Sequence, residues 1–219
     1  MGGLLARFRG QGYKTRLLNP HDEYWDRRLG IRTFGFHEGS GAQGEAVWNV
    51  HYTPTPYADI LRLLRHAGLH KDDVFVDLGA GMGRAVFTAA WLGARRSVGV
   101  ELIPELVAKA EANRARARQA DRDISFVCTD ATRYAFADMT MLFMFHPFGE
   151  TTMEQVLRNI RASREAACTP PLRIVYINPV CDEVLAQSGW LRRIERLPPP
   201  GRRLFSTAGR HKTSIWQSI

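Results

Sequence analysis

The stretch Val74 to Arg84, V-F-V-D-L-G-A-G-M-G-R, constrains this chain more than any other. Val74, Phe75 and Val76 form an unbroken apolar run of the kind expected for a parallel strand covered on both faces. Asp77 ends it, glycines follow at 79, 81 and 83, and A-V-F-T-A-A-W-L after Arg84 reads as an apolar helix. Glycine permits positive φ and close approach of a ligand, and a helix start offers unpaired N–H groups. A strand, a glycine turn and a helix in that order predict a nucleotide-like ligand.

Spacing narrows the class of ligand. A dinucleotide turn needs G-x-G-x-x-G, but counting from Gly79 the sixth position is Arg84; a P-loop needs Lys followed by Ser or Thr, and none is there. An acid beside the turn would repel phosphate and suits a ligand carrying an amino group. The stretch resembles motif I of the class I S-adenosylmethionine-dependent methyltransferases. Glu101 ends the next apolar segment, Ser97 to Val100, where such folds place a carboxylate on the ribose hydroxyls. The resemblance implies S-adenosyl-L-methionine as cofactor, held by Asp77, Gly79, Ala80, Gly81, Gly83, Glu101 and Leu102.

The remaining pattern extends the alternation of strand and helix. Residues 1 to about 50 read as an irregular arm or lid with scattered aromatics and a glycine-rich run from Gly39 to Gly44; 51–219 read as the methyltransferase domain. Ala58 to Gly68 has helical periodicity, Pro104 opens a helix to about Gln119, and Ile124 to Cys128 is a strand. That strand ends at Asp130 and Ala131, where the same fold lays an acid or its neighbouring backbone against adenine. Met141 to Phe145 is a fourth strand and stops at His146-Pro147-Phe148-Gly149. Thr152 to Arg164 is a helix, Leu172 to Ile177 a strand ending in Asn178, and Asp182 to Gln187 a short helix. Trp190 to Leu197 and Thr213 to Ile219 are two closing antiparallel strands. The expected fold is α/β, a Rossmann-like seven-stranded methyltransferase sheet of order 3-2-1-4-5-7-6, last strand antiparallel, with helices on both faces. Ligands of open α/β sheets bind beyond the carboxyl ends of the strands. Residues 77–83, 101, 130–131 and 146–149 are therefore expected to converge on one crevice.

A narrower likeness is carried by Tyr52, Thr55 and Tyr57 before the first helix, by F-V-D-L-G-x-G-x-G-x-x-V from Phe75 to Val86, by Gly99 to Glu101, and by Phe148-Gly149. Over roughly residues 50 to 180 the chain resembles the non-SET protein-lysine methyltransferases of the disruptor-of-telomeric-silencing type, and related bacterial proteins. The resemblance implies that Tyr52 and Thr55 touch the cofactor. Those enzymes carry Asn after strand four where His146 stands here, so their transfer geometry does not carry over. His146 is the titratable side chain expected at the methyl end, either as a base or as a histidine shaping the turn. Tyr52 and Phe148 are expected to line an apolar channel beside it, and Asn178 is a candidate to orient a substrate.

Composition limits the partners. The 219 residues, 45% hydrophobic, suit one core with a short extension, and no apolar run approaches a membrane span. The chain's start lacks a secretory or myristoylation pattern, which leads one to expect a cytoplasmic protein. Three scattered cysteines, and His21, Asp22, Glu23, His37 and Glu38 at no ligand spacing, predict neither disulfide framework nor metal site; the charged groups read as solvated. The net charge is +8, but only four of 30 basic residues are lysine, a bias that a GC-rich genome also produces. The denser basic cluster near the end contains Arg192, Arg193 and Arg196. The expected acceptor is a nitrogen or oxygen on a protein side chain or small metabolite; a nucleic-acid methyltransferase and a non-catalytic cofactor-binding module are the alternatives. Nothing in the pattern sets an oligomeric state.

Overall fold

The computed structural model describes residues 20–34, 54–119, 121–165, 170–199 and 211–219. Its elements in order are α1 (Pro20–Leu29), α2 (Tyr57–His66), β1 (Val74–Leu78), α3 (Arg84–Trp91), β2 (Arg96–Glu101), α4 (Pro104–Arg116) and β3 (Asp123–Cys128). After a single 3-10 turn at Ala131–Arg133 come β4 (Met141–Phe145), α5 (Glu150–Glu165), β5 (Arg173–Ile177), α6 (Asp182–Gln187), β6 (Leu191–Leu197) and β7 (Thr213–Ser218). The strands form one sheet in the order β3-β2-β1-β4-β5-β7-β6, as expected. Neighbours from β3 to β5 pair parallel, and β7 runs antiparallel to both β5 and β6. Among the described residues no helix is long and apolar enough to cross a membrane.

Alternation along the central strands divides the core into two layers. Phe75, Phe143 and Val175 pack with Ile60, Leu64 and Phe87 of α2 and α3, whereas Val76, Leu142 and Ile174 pack with Met153, Val156 and Ile160 of α5. Every residue of β1 is buried because helices cover both faces, which is why the run lacks polar alternation. The registers Leu78 with Val100, Glu101 with Cys128, Leu78 with Met144, and Phe145 with Ile177 bring the carboxyl ends of five strands level. The loops that leave them share one edge of the sheet.

The reading of residues 1 to 50 as irregular is corrected by α1. Its first turn carries Asp22 and Glu23 and its last Arg27 and Arg28, charges that oppose the helix dipole, and Gly30 at φ 77° closes it. Few of its residues are apolar, so periodicity conceals it. Leu29 and Ile31 enter the α2/α3 core, and Trp25 meets Trp91 edge-on at 4.8 Å. The glycine-rich run and Tyr52 lie outside the described residues, so the assignment of a separate arm stays an expectation.

Candidate active site

Gly79, Gly81 and Gly83 have φ of 78°, 55° and 91°, so the turn after β1 runs through left-handed backbone that residues with a Cβ seldom adopt. Gly79 and Ala80 both donate their N–H to the carbonyl of Val100, at 2.9 and 3.1 Å, which folds the turn against the end of β2. Gly83 caps α3, and a Cβ there would stand 2.5 Å from the Phe126 ring. A Cβ on Gly99 would meet the same ring at 2.6 Å. Gly83 thus serves packing beneath the site, and it is not among the residues lining the cleft.

Glu101 holds the other side of the turn. Its Oε2 accepts the N–H of Gly81 at 2.8 Å, and its Oε1 accepts those of Leu102 and Ile103 at 2.9 and 3.0 Å. A carboxylate oxygen has about two lone-pair sites, so Oε1 is filled and Oε2 keeps one for a ligand. Asp77 lies across from it, buried, and its carboxyl is pushed up to about 8 by burial and then by the negative charge of Glu101. An acid so placed gains from a cationic partner, which relieves both causes.

These groups line a cleft of about 460 Å³ together with Thr55, Ala80, Leu102, Asp130, Ala131, His146 and Phe148, within the range of small-molecule and cofactor sites. The four predicted post-strand stretches therefore do meet. Asp130 is held by an Asx-type turn, its Oδ1 accepting the Thr132 N–H and hydroxyl at 2.8 Å each. Asn178 does not line the cleft. It sits at φ 52° and donates its N–H to the Lys212 carbonyl, which makes it a corner residue between β5 and β7.

His146 reaches the cleft from a left-handed backbone, φ 34°, with its N–H donated to Ile177 at 3.2 Å. Burial pushes its imidazole below the ordinary histidine value. Its Nδ1 lies 3.3 Å from the hydroxyl of Tyr176, a fully buried residue of β5 that sequence reasoning missed. Side-chain alternation along I-V-Y-I puts Tyr176 on the α5 face, among the one signal available.

Arg84 was also missed as a site residue. It lines the cleft but is 4% exposed, and its guanidinium turns away to Asp22 at 2.8 Å, the Thr33 hydroxyl at 2.7 Å and the Thr55 carbonyl at 3.2 Å, 4.6 Å over the Tyr57 ring. Asp26 completes the cluster by accepting from the Thr33 and Tyr57 hydroxyls. The solvated reading of Asp22 is thereby corrected. Among the described residues, the ionisable side chains lining the cleft besides Arg84 are the carboxylates of Asp77, Glu101 and Asp130 and the imidazole of His146.

The fold is that of the class I S-adenosylmethionine-dependent methyltransferases. Residues 45–138 match the family described as histone methylation protein DOT1. A protein-lysine N-methyltransferase of Saccharolobus islandicus (strain REY15A) is 41% identical over 66 residues, which are 30% of this chain and 41% of that protein. The match spans less than half the length of this curated relative. An RNA methyltransferase from Salinibacter ruber, solved with S-adenosyl-L-homocysteine, aligns over 76% of this chain and 94% of its own at 26% identity and a TM-score of 0.58. A glycopeptide N-methyltransferase complexed with sinefungin aligns over 77% and 95% at 12% identity and a TM-score of 0.61, a likeness of fold.

Proposed function

We propose that the chain binds S-adenosyl-L-methionine in this cleft and transfers its methyl group to a nitrogen or oxygen of a protein side chain or small metabolite, in the cytoplasm. The observation that carries the reading is the charge of the cleft. Two buried carboxylates flank the glycine turn, and among the described residues lining the cleft the one guanidinium, that of Arg84, is paired with Asp22. Such a site disfavours a pyrophosphate and suits an ammonium near Asp77 and a diol on the remaining lone pair of Glu101. The residues present fit the cofactor on that ground. The turn residues Gly79, Ala80 and Gly81 would bring backbone close to it, and Leu102 and Ala131 would flank its base.

Bound cofactor supplies an electrophilic sulfonium methyl. The protein has then to orient the acceptor, exclude water and take the acceptor's proton where there is one. Phe145 and Phe148 supply apolar wall at the His146 end of the cleft. His146, its imidazole pushed below the ordinary histidine value by burial, would accept that proton and so free the acceptor's lone pair for attack. Tyr52 belongs to the same proposal as a wall of the acceptor channel.

A nucleic-acid acceptor is the second reading, supported by the Salinibacter ruber likeness. Two arginines of the basic cluster weigh against it: Arg193 and Arg196 each donate to buried Asp182, which offsets part of their charge. The test has two stages. Thermal shift with S-adenosylmethionine at a hundredfold excess over its Kd should show stabilisation of about 2.7 kcal/mol. Stabilisation by NAD and none by S-adenosylmethionine ends the proposal. Tritiated cofactor incubated with a lysate fractionated into protein, nucleic acid and small molecules should then label the protein or small-molecule fraction, and label confined to nucleic acid selects the second reading.

A further inference from the structure

The end of α1, the segment that follows it and the end of α4 meet at the surface. A Cβ on Gly30 would stand 3.0 Å from the Arg116 carbonyl oxygen and 3.1 Å from Cγ of Arg118, so the pieces are in close contact. Arg118 donates its N–H to the Leu29 carbonyl at 2.9 Å. The Asn113 amide holds the backbone of Arg32 on both sides, accepting its N–H at 2.9 Å and donating to its carbonyl at 3.0 Å. Backbone bonds thus fix the junction, and Arg27, Arg28, Arg32, Arg116 and Arg118 stand exposed on it.

Their charge is not offset within the described chain. Among the described residues none of these guanidinia is paired with a carboxylate, whereas those of Arg84, Arg96, Arg114 and Arg173 each are. The dipoles of α1 and α4 account for basic residues in a last turn, and so for Arg27, Arg28 and Arg116. They do not account for Arg32 and Arg118, which lie beyond both helices and add like charge. Two aromatic side chains join them. Tyr24 shares a face of α1 with Arg27 and Arg28 by helical spacing, and the burial of Ile31 and Thr33 leaves Arg32 and Phe34 together on the opposite side of the segment. Tyr24 and Phe34, 51% and 56% exposed, are the exposed large aromatics among the described residues.

We infer that this junction is a docking surface for single-stranded RNA. Guanidinia without carboxylate partners hold phosphate through paired hydrogen bonds, and exposed aromatic faces stack on bases. An acidic protein would use the cations and leave Tyr24 and Phe34 without a role, and a duplex keeps its base faces covered. RNA is the nucleic acid that presents unpaired loops and ends. None of these residues lines the cofactor cleft, so the surface is separate from the proposed site of methyl transfer, and the inference goes beyond the proposed function.

The test is fluorescence anisotropy of the full-length protein, without S-adenosylmethionine, with a labelled oligouridylate of about 12 nucleotides, within the span of known single-strand sites. Binding should weaken with salt, the logarithm of the association constant falling by about 0.7 per decade for each phosphate held. Arg32→Gln with Arg118→Gln, chosen beyond the helices so that neither dipole is disturbed, should reduce that slope by about 1.4. Tyr24→Ala with Phe34→Ala should weaken binding about tenfold or more at every salt concentration and leave the slope as it was. Arg158→Gln with Arg161→Gln, exposed on α5, should change neither. The oligouridylate annealed to its complement should compete less well than the single strand. No binding at low salt, an unchanged slope in the arginine pair, an unchanged affinity in the aromatic pair, or a duplex that competes as well as the strand overturns the inference. The substituted side chains are all exposed, and each variant should melt as the wild type does. Failure to bind S-adenosylmethionine would end the proposed function while leaving this result standing; cofactor binding without RNA binding would end only the inference.

Discussion

Arg84 Nη1 donates to Asp22 Oδ2 at 2.8 Å, joining the first residue of α3 to a helix 62 positions earlier in the chain. The same guanidinium holds Thr33 and the Thr55 carbonyl, so one buried cation fastens α1, the segment after it and the entry to α2 around the glycine turn. The N-terminal helix is therefore part of the site's foundation.

Asp22→Ala should leave Arg84 buried and short of its counter-charge. Breaking a fully buried pair costs about 3–5 kcal/mol, but Asp22 retains 17% side-chain exposure, so a loss of about 1–3 kcal/mol is expected. Urea unfolding measures it, and the Asp22→Ala, Arg84→Met double variant should recover part of the loss, giving a coupling energy well away from zero. Additive effects of the two changes would show that the contact does not hold α1.

Much of this architecture was legible in the chain itself, and the exceptions share a cause. β4 and α6 were bounded to the residue, because an apolar run between turn residues, or a short periodic piece stopped by glycine, declares itself locally. The cofactor turn was legible because its demand on the backbone is met by glycine at fixed spacing. Arg84, Asp22 and Tyr176 were not, because their roles depend on partners 30 to 62 positions away, or on the face of a strand whose residues after Arg173 are all apolar or aromatic. α1 did announce itself through Pro20, its charge order and Gly30, but with Leu29 as its one buried residue it gave no periodicity to read.

Glu101→Ala should damage the turn as well as the binding of cofactor. Three backbone N–H groups, those of Gly81, Leu102 and Ile103, lose their shared acceptor, and hydrogen bonds to a charged group are each worth about 1.5–3 kcal/mol. The expected result is a lower Tm without ligand and an S-adenosylmethionine affinity reduced at least tenfold, read by calorimetry. A variant that melts like the wild type and binds like it removes Glu101 from both roles.

Asp77 should make stability depend on pH in a defined window. Its carboxyl stands near 8 in the folded protein against an ordinary value of 3.8, raised first by burial and then by Glu101, so between those values the folded state keeps a proton that the unfolded state has released. The stabilising contribution is full below about pH 4 and is lost as pH rises through 8, with a slope of at most about 1.4 kcal/mol per pH unit. Asp77→Asn should flatten the stability profile of the ligand-free protein across pH 5–8. Binding of a cationic ligand near neutral pH should expel up to about one proton in the wild type and none in the variant, seen as a binding enthalpy that varies with the buffer's heat of ionisation. Identical profiles and identical proton release in the two proteins would place the perturbed carboxyl elsewhere.

His146 decides how the acceptor is deprotonated. An amine such as lysine, with an ordinary pKa near 10.4, is almost wholly protonated at neutral pH and cannot attack until that proton leaves. His146 lines the cleft with its imidazole pushed below the usual histidine value by burial, and is therefore neutral and able to accept a proton at pH 7. Asparagine is the informative replacement because His146 sits at φ 34°, a left-handed conformation that asparagine tolerates better than most residues, so the turn is kept while the base is removed. With methyl transfer measured in single turnover, His146→Asn should lower the rate by about 10²-fold or more, the usual loss of a general base, while cofactor affinity holds. The wild-type rate should rise with pH on a limb below 6.5, since the lowered value moves the titration to more acid conditions, and that limb should be absent from the variant. An unchanged rate and an unchanged limb would make His146 the residue that shapes the turn after β4 and leave the acceptor's proton to water or to its own desolvated, lowered pKa.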